Sequence, residues 1–190
     1  MPRWSRPPAG DREGGFAIFW GMETDRDTPP ASDELTFDRI DSAATHPLRM
    51  QILRPGRPES ECEFPGDDDP ETFHAGAFLA GELVAVASMY REARPVDAPG
   101  GVAPGGDHEA GTAWRLRGMA TSPQVRRRGA GARALEACED HARARGGTLA
   151  WCNARTPAIA FYEAQGWTRF GEEFEIPTAG PHFVMEKRLD

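Results

Sequence analysis

A chain of 190 residues with 39% apolar side chains and no long apolar run holds enough core for one folded domain plus some unstructured flank, which argues against wholesale disorder and against a membrane-spanning helix. The formal net charge of −8 argues against a nucleic-acid binder, yet it is uneven: residues 111–190 carry +3 and residues 1–110 carry −11, so an anionic ligand would suit the second half. Cys62, Cys138 and Cys152 are odd in number, widely spaced and lack a CxxC pair; they predict no disulfide framework and no metal site, and the chain reads as cytoplasmic.

Residues 1–32 are rich in proline, glycine and charge, with a short apolar segment at 16–20; they read as a flexible N-terminal extension ahead of a domain spanning 33–190. Residues 36–40 fit a first strand. Residues 42–53 place Leu48, Ile52 and Leu53 on one side of a helix, while Pro47 inside the pattern predicts two short pieces. Residues 54–72 hold four prolines and the acidic run 67–69, and read as a loop whose acids attract cationic amines or, more commonly, form a solvated turn. Two strands follow at 75–79 and 83–90, joined by the tight-turn signal Ala80-Gly81-Glu82. A second Pro/Gly-rich loop covers 94–111, and a strand covers 112–120. Leu135, Cys138 and Ala142 recur at helical spacing over 129–145, which Gly146-Gly147 stops. After a strand at 148–152, Thr156 reads as an N-cap and Pro157 as the first residue of a helix ending at Gly166. Strands at 167–170 and 183–189 close the chain. A hairpin in the first half and strand–helix alternation in the second predict an α/β fold on a mixed sheet.

The segment 124–135 carries the chemistry. Arg126, Gly129 and Gly131 stand in R-x-x-G-x-G spacing between a strand and a helix start. The first amides of a helix have no internal partner and point along the positive end of its dipole, and glycines let a phosphate approach them. Arg126, Arg127 and Arg128 would add charge-assisted bonds, or would simply solvate the helix start. Residues 129–134 also fit the dinucleotide fingerprint GxGxxA. That reading is rejected: the motif comes late in the chain, the run 122–126 separates it from the strand, and Cys152 and Asn153 occupy the region where a ribose-binding acid belongs.

The motifs in this order resemble those of the GNAT superfamily of N-acetyltransferases, of the small bacterial type. Arg126-x-x-Gly129-x-Gly131 is similar to its acetyl-CoA pyrophosphate motif. Residues 116–120 resemble its fourth strand, and 151–155 with Ala158, Phe161-Tyr162 and Gly166-Trp167 resemble its second conserved block. Glu173-Phe174, Gly180-Pro181-His182 and Met185 resemble its C-terminal strands. The resemblance is strong over about 112–190, extends to 33, and leaves out 1–32.

It implies a central sheet splayed between strands 4 and 5, with flanking helices, and acetyl-CoA as acyl donor. Pantetheine would lie against the backbone of Met119, Ala120 and Thr121, and the amides of Arg127, Arg128, Gly129, Ala130, Gly131 and Ala132 would hold pyrophosphate. Gly118 independently marks a bulge or a close ligand approach. Asn153 would sit near the pantetheine arm or cap the next helix. Phe161 would pack on the cofactor or in the core. Tyr162 matches the family's general acid, a role that suits a phenol beside a departing thiolate. Transfer to a primary amine would be direct, helped by backbone N–H near Met119, with Glu173, His182 and His74 as candidate bases or, preferably, surface or structural residues. Arg115 and Arg117, on one strand face, would bind an acidic acceptor or, preferably, pair with the acidic first half. A non-catalytic acyl-CoA sensor and transfer of another acyl group are the alternatives. Neither metal, nucleic acid nor membrane is implied as a partner, and the family's frequent pairing through C-terminal strands leaves a homodimer open.

Overall fold

The computed structural model describes residues 34–94 and 111–189. The expected extension at 1–32 and the central part of the second loop, 95–110, lie outside the described residues. In chain order the elements are β1 (Leu35–Ile40), α1 (Ser42–Leu53), β2 (Phe73–Leu79), β3 (Glu82–Arg91), β4 (Ala113–Thr121), α2 (Ala130–Arg143), β5 (Leu149–Arg155), α3 (Ile159–Ala164), β6 (Thr168–Ile176) and β7 (Gly180–Arg188). They build a mixed seven-stranded sheet in the order β1-β2-β3-β4-β5-β7-β6. The β4–β5 pair is parallel and the other pairs are antiparallel.

Strand β3 is buried on both faces, which is why its sequence is a run of apolar residues rather than an alternation. Val86 packs with Leu48 of α1, whereas Ala87 and Met89 pack with Ala134, Leu135 and Cys138 of α2. Neighbouring residues of a strand point to opposite faces, so the two helices cover opposite sides of the sheet. Each buried Leu or Met in these layers contributes roughly 1.5–3 kcal/mol of transfer free energy.

Helix α1 is continuous through Pro47, contrary to the two pieces expected. Asp41 caps it by accepting from the Ala44 amide at 2.8 Å. Burial of Leu48 against Val86 and Ala120, with Ile52 and Leu53 beside them, offsets the backbone bond that proline removes. The second correction concerns Thr156. It belongs to a 3-10 turn, Thr156–Ala158, that leads into α3, and its hydroxyl donates to Glu173 instead of capping. Strand β6 runs to Ile176, well past Phe170, through an irregularity between Phe170 and Phe174 that breaks its alternation. Helix α2 carries a buried carboxylate, Glu139, which accepts from Trp167 Nε1 at 2.8 Å and Lys187 Nζ at 2.7 Å and so ties the helix to the sheet's far side.

Candidate active site

Strands β4 and β5 pair only at Ala113–Leu149, Trp114–Ala150 and Arg115–Trp151. Beyond those pairs they part, and residues 116–121 face the gap. On its other side β4 carries a bulge: Ser88 pairs with Arg117 and Val86 with Ala120, so Gly118 and Met119 together oppose Ala87. Gly118 has φ +61°, and a Cβ there would lie 2.5 Å from Arg49 Nε and 2.9 Å from Phe64 Cε2, so this position requires glycine. The extra residue inverts the side-chain alternation. Leu116 and Met119 both turn to the α2 core, while Ala120 turns to α1.

The turn before α2 is anchored by the buried Val125 and passes through left-handed conformations at Arg127 (φ +66°) and Gly129 (φ +86°). The first helical bond runs from Arg133 N to Gly129 O at 3.0 Å, which leaves the amides of 130–132 without intrahelical partners. Gly131 faces the end of β4: a Cβ would stand 3.0 Å from Thr121 Oγ1 and 3.2 Å from Met119 Cε. Bare backbone therefore floors a groove of about 770 Å³. Met119, Ala120, Thr121, Arg126, Arg127, Gly129, Ala130, Gly131, Ala132, Phe161 and Tyr162 all line it. Two basic side chains, a cluster of helix-start amides and a floor without Cβ fit the pyrophosphate and pantetheine of an acyl-CoA. Arg128 is exposed and is not among the groove-lining residues.

A second cavity, of about 290 Å³, shares Leu53, Met119, Arg155, Ala158 and Tyr162 with the groove and also takes in Asn153, Cys152 and His182. Asn153 thus lines this cavity and not the groove. Its Oδ1 is buried without a partner among the described residues, and the following 3-10 turn has no side-chain cap bond. The Phe161 and Tyr162 rings, expected on different sides, meet edge to face with centroids 5.2 Å apart, and both line the groove. The ring of Phe161 lies 3.9 Å from the Cβ position of Gly131, while Tyr162 stacks toward Trp167 at 5.5 Å. Tyr162 is 7% exposed, and its hydroxyl reaches Met119 Sδ at 3.6 Å. Burial, reinforced by the neighbouring Cys152 thiol, holds this phenol well above its usual range, so it stays protonated. Burial likewise pushes the Cys152 thiol up to about 12, which removes it as a nucleophile.

Of the three candidate bases only His182 lines the cavity. Its Nδ1 lies 2.7 Å from the Gly180 carbonyl, which can only accept, so Nδ1 carries a proton and Nε2 is the nitrogen left to act as acceptor. Glu173 takes the Thr156 hydroxyl at 2.7 Å on the surface. His74 is buried elsewhere, in a network that sequence reading missed.

That network centres on Arg49, which is fully buried. Its guanidinium donates to Asp67 at 2.8 and 3.2 Å, to Ser88 Oγ at 2.7 Å, to Tyr90 Oη at 3.1 Å and to the Cys62 carbonyl at 2.9 Å. Tyr90 also donates to Asp67. Ser88 Oγ meets His74 Nδ1 at 2.7 Å, and His74 Nε2 donates to the Asp67 carbonyl at 2.8 Å. Asp67 is therefore an internal counter-ion and not part of a solvated turn, although Asp68 and Asp69 are exposed. Nothing in the local sequence separates it from them, because its partner lies 18 residues away. The network backs Gly118 and fixes the bulge from behind. The preferred structural reading of the strand arginines holds for Arg115, which pairs with Glu92 at 2.6 Å over the Trp151 ring. Arg117 stacks on Phe64 and Tyr90 and has no carboxylate partner among the described residues.

Comparison with known proteins adds to this geometry. The profile of the acetyltransferase (GNAT) family matches residues 37–167. "Uncharacterized N-acetyltransferase YitI" of Bacillus subtilis (strain 168) is 34% identical over 145 residues, covering 76% of this chain and 90% of that protein. Among solved structures, the ribosomal-protein-S18-alanine N-acetyltransferase from Escherichia coli aligns with a TM-score of 0.60 at 18% identity, over 83% of this chain and 95% of the other. An aminoglycoside 6'-N-acetyltransferase complexed with coenzyme A aligns with a TM-score of 0.56 at 16% identity, over 82% and 97%. At such identities these structures establish the shared fold, and the family match and the curated relative establish membership. The chain belongs to the GNAT family of acetyltransferases and is an acyltransferase.

Proposed function

We propose that the protein transfers an acetyl group from acetyl-CoA to a primary amine by direct attack, with Tyr162 as general acid. The observation that carries this reading is the position of Tyr162, where the glycine-floored groove and the second cavity meet beside the unpaired edge of β4. That a structural neighbour, an aminoglycoside 6'-N-acetyltransferase, is complexed with coenzyme A supports a CoA thioester as the donor.

Bound acetyl-CoA supplies a thioester whose carbonyl carbon accepts the amine and whose sulfur departs. Residues 127 and 129–132 present main-chain amides to the pyrophosphate, with the side chains of Arg126 and Arg127 at its flank, while the Arg128 amide is taken by the Val125 carbonyl. In this reading a backbone N–H near Met119 polarises the carbonyl oxygen. The Tyr162 hydroxyl, kept protonated by burial, donates to the departing sulfur. His182 Nε2 accepts the proton released by the attacking amine. No covalent enzyme intermediate is involved, in line with thiols held protonated by burial.

Calorimetric titration with acetyl-CoA and CoA tests the donor. Saturable binding of both supports the reading, and no heat with either sinks it. Initial rates with acetyl-, propionyl- and succinyl-CoA then decide the acyl group.

A further inference from the structure

The second cavity is lined by Arg54, Arg115, Arg117 and Arg155 together with His182 and Asn153, and no carboxylate lines it among the described residues. Among the described residues only Arg115 of these has an ion-pair partner, Glu92. Arg54 and Arg155 both donate to the last carbonyl of α1, that of Leu53, at 3.2 and 3.0 Å, which orients their guanidinium groups without neutralising them. Arg117 is held between the Phe64 and Tyr90 rings at 4.6 and 5.7 Å. The Asn153 Oδ1, buried and unpaired among the described residues, is a vacant hydrogen-bond acceptor on the same wall.

We propose that the acceptor is an amine that carries its own anionic group, a carboxylate or a phosphate, bound by Arg117 with Arg54 and Arg155 while its nitrogen lies toward Asn153 and Tyr162. This inference rests on the acyl-transfer reading above, which gives the second cavity to the acceptor. Unneutralised guanidinium groups attract an anion and repel a polycation. Their planar forks match carboxylate and phosphate oxygens. The same positive field lowers the ammonium pKa of the bound substrate and so favours the neutral, nucleophilic amine. Burial, with the adjacent Arg115, lowers Arg117 from its usual basicity against the opposing pull of Tyr90, Glu92 and Asp67, and burial with Arg54 lowers Arg155.

The test uses matched pairs of small amines titrated into the full-length protein, alone and with CoA present: L-alanine against L-alaninamide, and O-phosphoethanolamine against ethanolamine, with spermidine as the cationic probe. At least one anionic member is expected to bind 10-fold or more tighter than its neutral match. Preference in the first pair identifies an amino carboxylic acid, and in the second an amino phosphate. Arg117→Gln should abolish the preference and Arg117→Lys should restore part of it, with the acetyl-CoA affinity unchanged in both. Equal or tighter binding of the neutral amines or of spermidine, or no saturable binding of either anionic amine, overturns the inference on the unsubstituted protein, whatever the variants do. A failure of acetyl-CoA to bind is read in a separate titration and counts against the acyl-transfer reading alone.

Discussion

The Tyr162 hydroxyl of α3 stands 3.6 Å from Met119 Sδ of β4, directly across the gap that opens where β4 and β5 stop pairing. The contact joins the helix that supplies the proposed acid to the bulged strand that supplies the proposed oxyanion donors. Replacing Tyr162 with Phe keeps the ring, its packing on Trp167 and the groove wall, and removes only the hydroxyl. We expect kcat to fall by about 10²-fold or more with the acetyl-CoA dissociation constant unchanged, since a general acid typically contributes that much. Because burial holds the phenol proton, the unsubstituted enzyme should show no loss of kcat from this group up to pH 10. Stopped-time assays across pH read both outcomes, and an unchanged kcat in the variant removes Tyr162 from the chemistry.

Gly131 separates binding from stability. Alanine is favoured over glycine in a helix by about 1 kcal/mol, yet a Cβ here lies 3.0 Å from Thr121 Oγ1 at the groove floor. Gly131→Ala should therefore lower acetyl-CoA affinity at least about 10-fold while the melting temperature moves little, the helix gain and the crowding against Thr121 and Met119 opposing each other. Calorimetry and thermal unfolding of the same preparation check this, and undiminished affinity would show that the groove floor is not used.

The Arg49–Asp67 pair is fully desolvated on the arginine side. Removing one partner leaves a buried charge uncompensated, so Arg49→Met and Asp67→Asn should each cost roughly 3–5 kcal/mol in urea unfolding. The double variant should cost less than the sum, because its two losses are one interaction. Strict additivity would argue against coupling.

Acid should destabilise the fold in two stages. Burial lowers the pKa of His74, against the bond it donates to Asp67, and burial also lowers His141. Both rings bind fewer protons folded than unfolded below about pH 6.5. Stability should then fall from about pH 6.5 down to their folded values and level off. Burial alone would raise Asp67, but hydrogen bonds from Arg49, Tyr90 and the Phe64 amide outweigh it and lower the net value. Its contribution is complete above about pH 4 and is lost as pH drops through the folded value. Urea titrations from pH 8 to 3 should show both stages, and Asp67→Asn should erase the lower one. Stability that rises on acidification below pH 6.5 would contradict neutral buried imidazoles.

All three thiols are buried, and burial raises each of them. Iodoacetamide at pH 8 should leave the native protein unlabelled and modify three sites after denaturation, as read by intact mass. Labelling of Cys152 in the folded state would reopen it as a reactive group.

The order of strands and helices, the glycine-bearing turn before α2 and the bulge at Gly118 were legible in the sequence. Each follows from local rules: hydrophobic period and backbone freedom at glycine. Such rules act over a few residues and do not depend on what packs where. Tertiary structure decided the rest. Helix α1 runs through Pro47 because β3 and β4 bury its apolar face. Asp67, alike in sequence to Asp68 and Asp69, became an internal counter-ion because Arg49 reaches it through the fold. Asn153 and four arginines were gathered into one cavity by strand register and the C-terminal end of α1. Charge pairing and cavity shape depend on residues distant in the chain, and the energies that select them exist only once the sheet has brought those residues together.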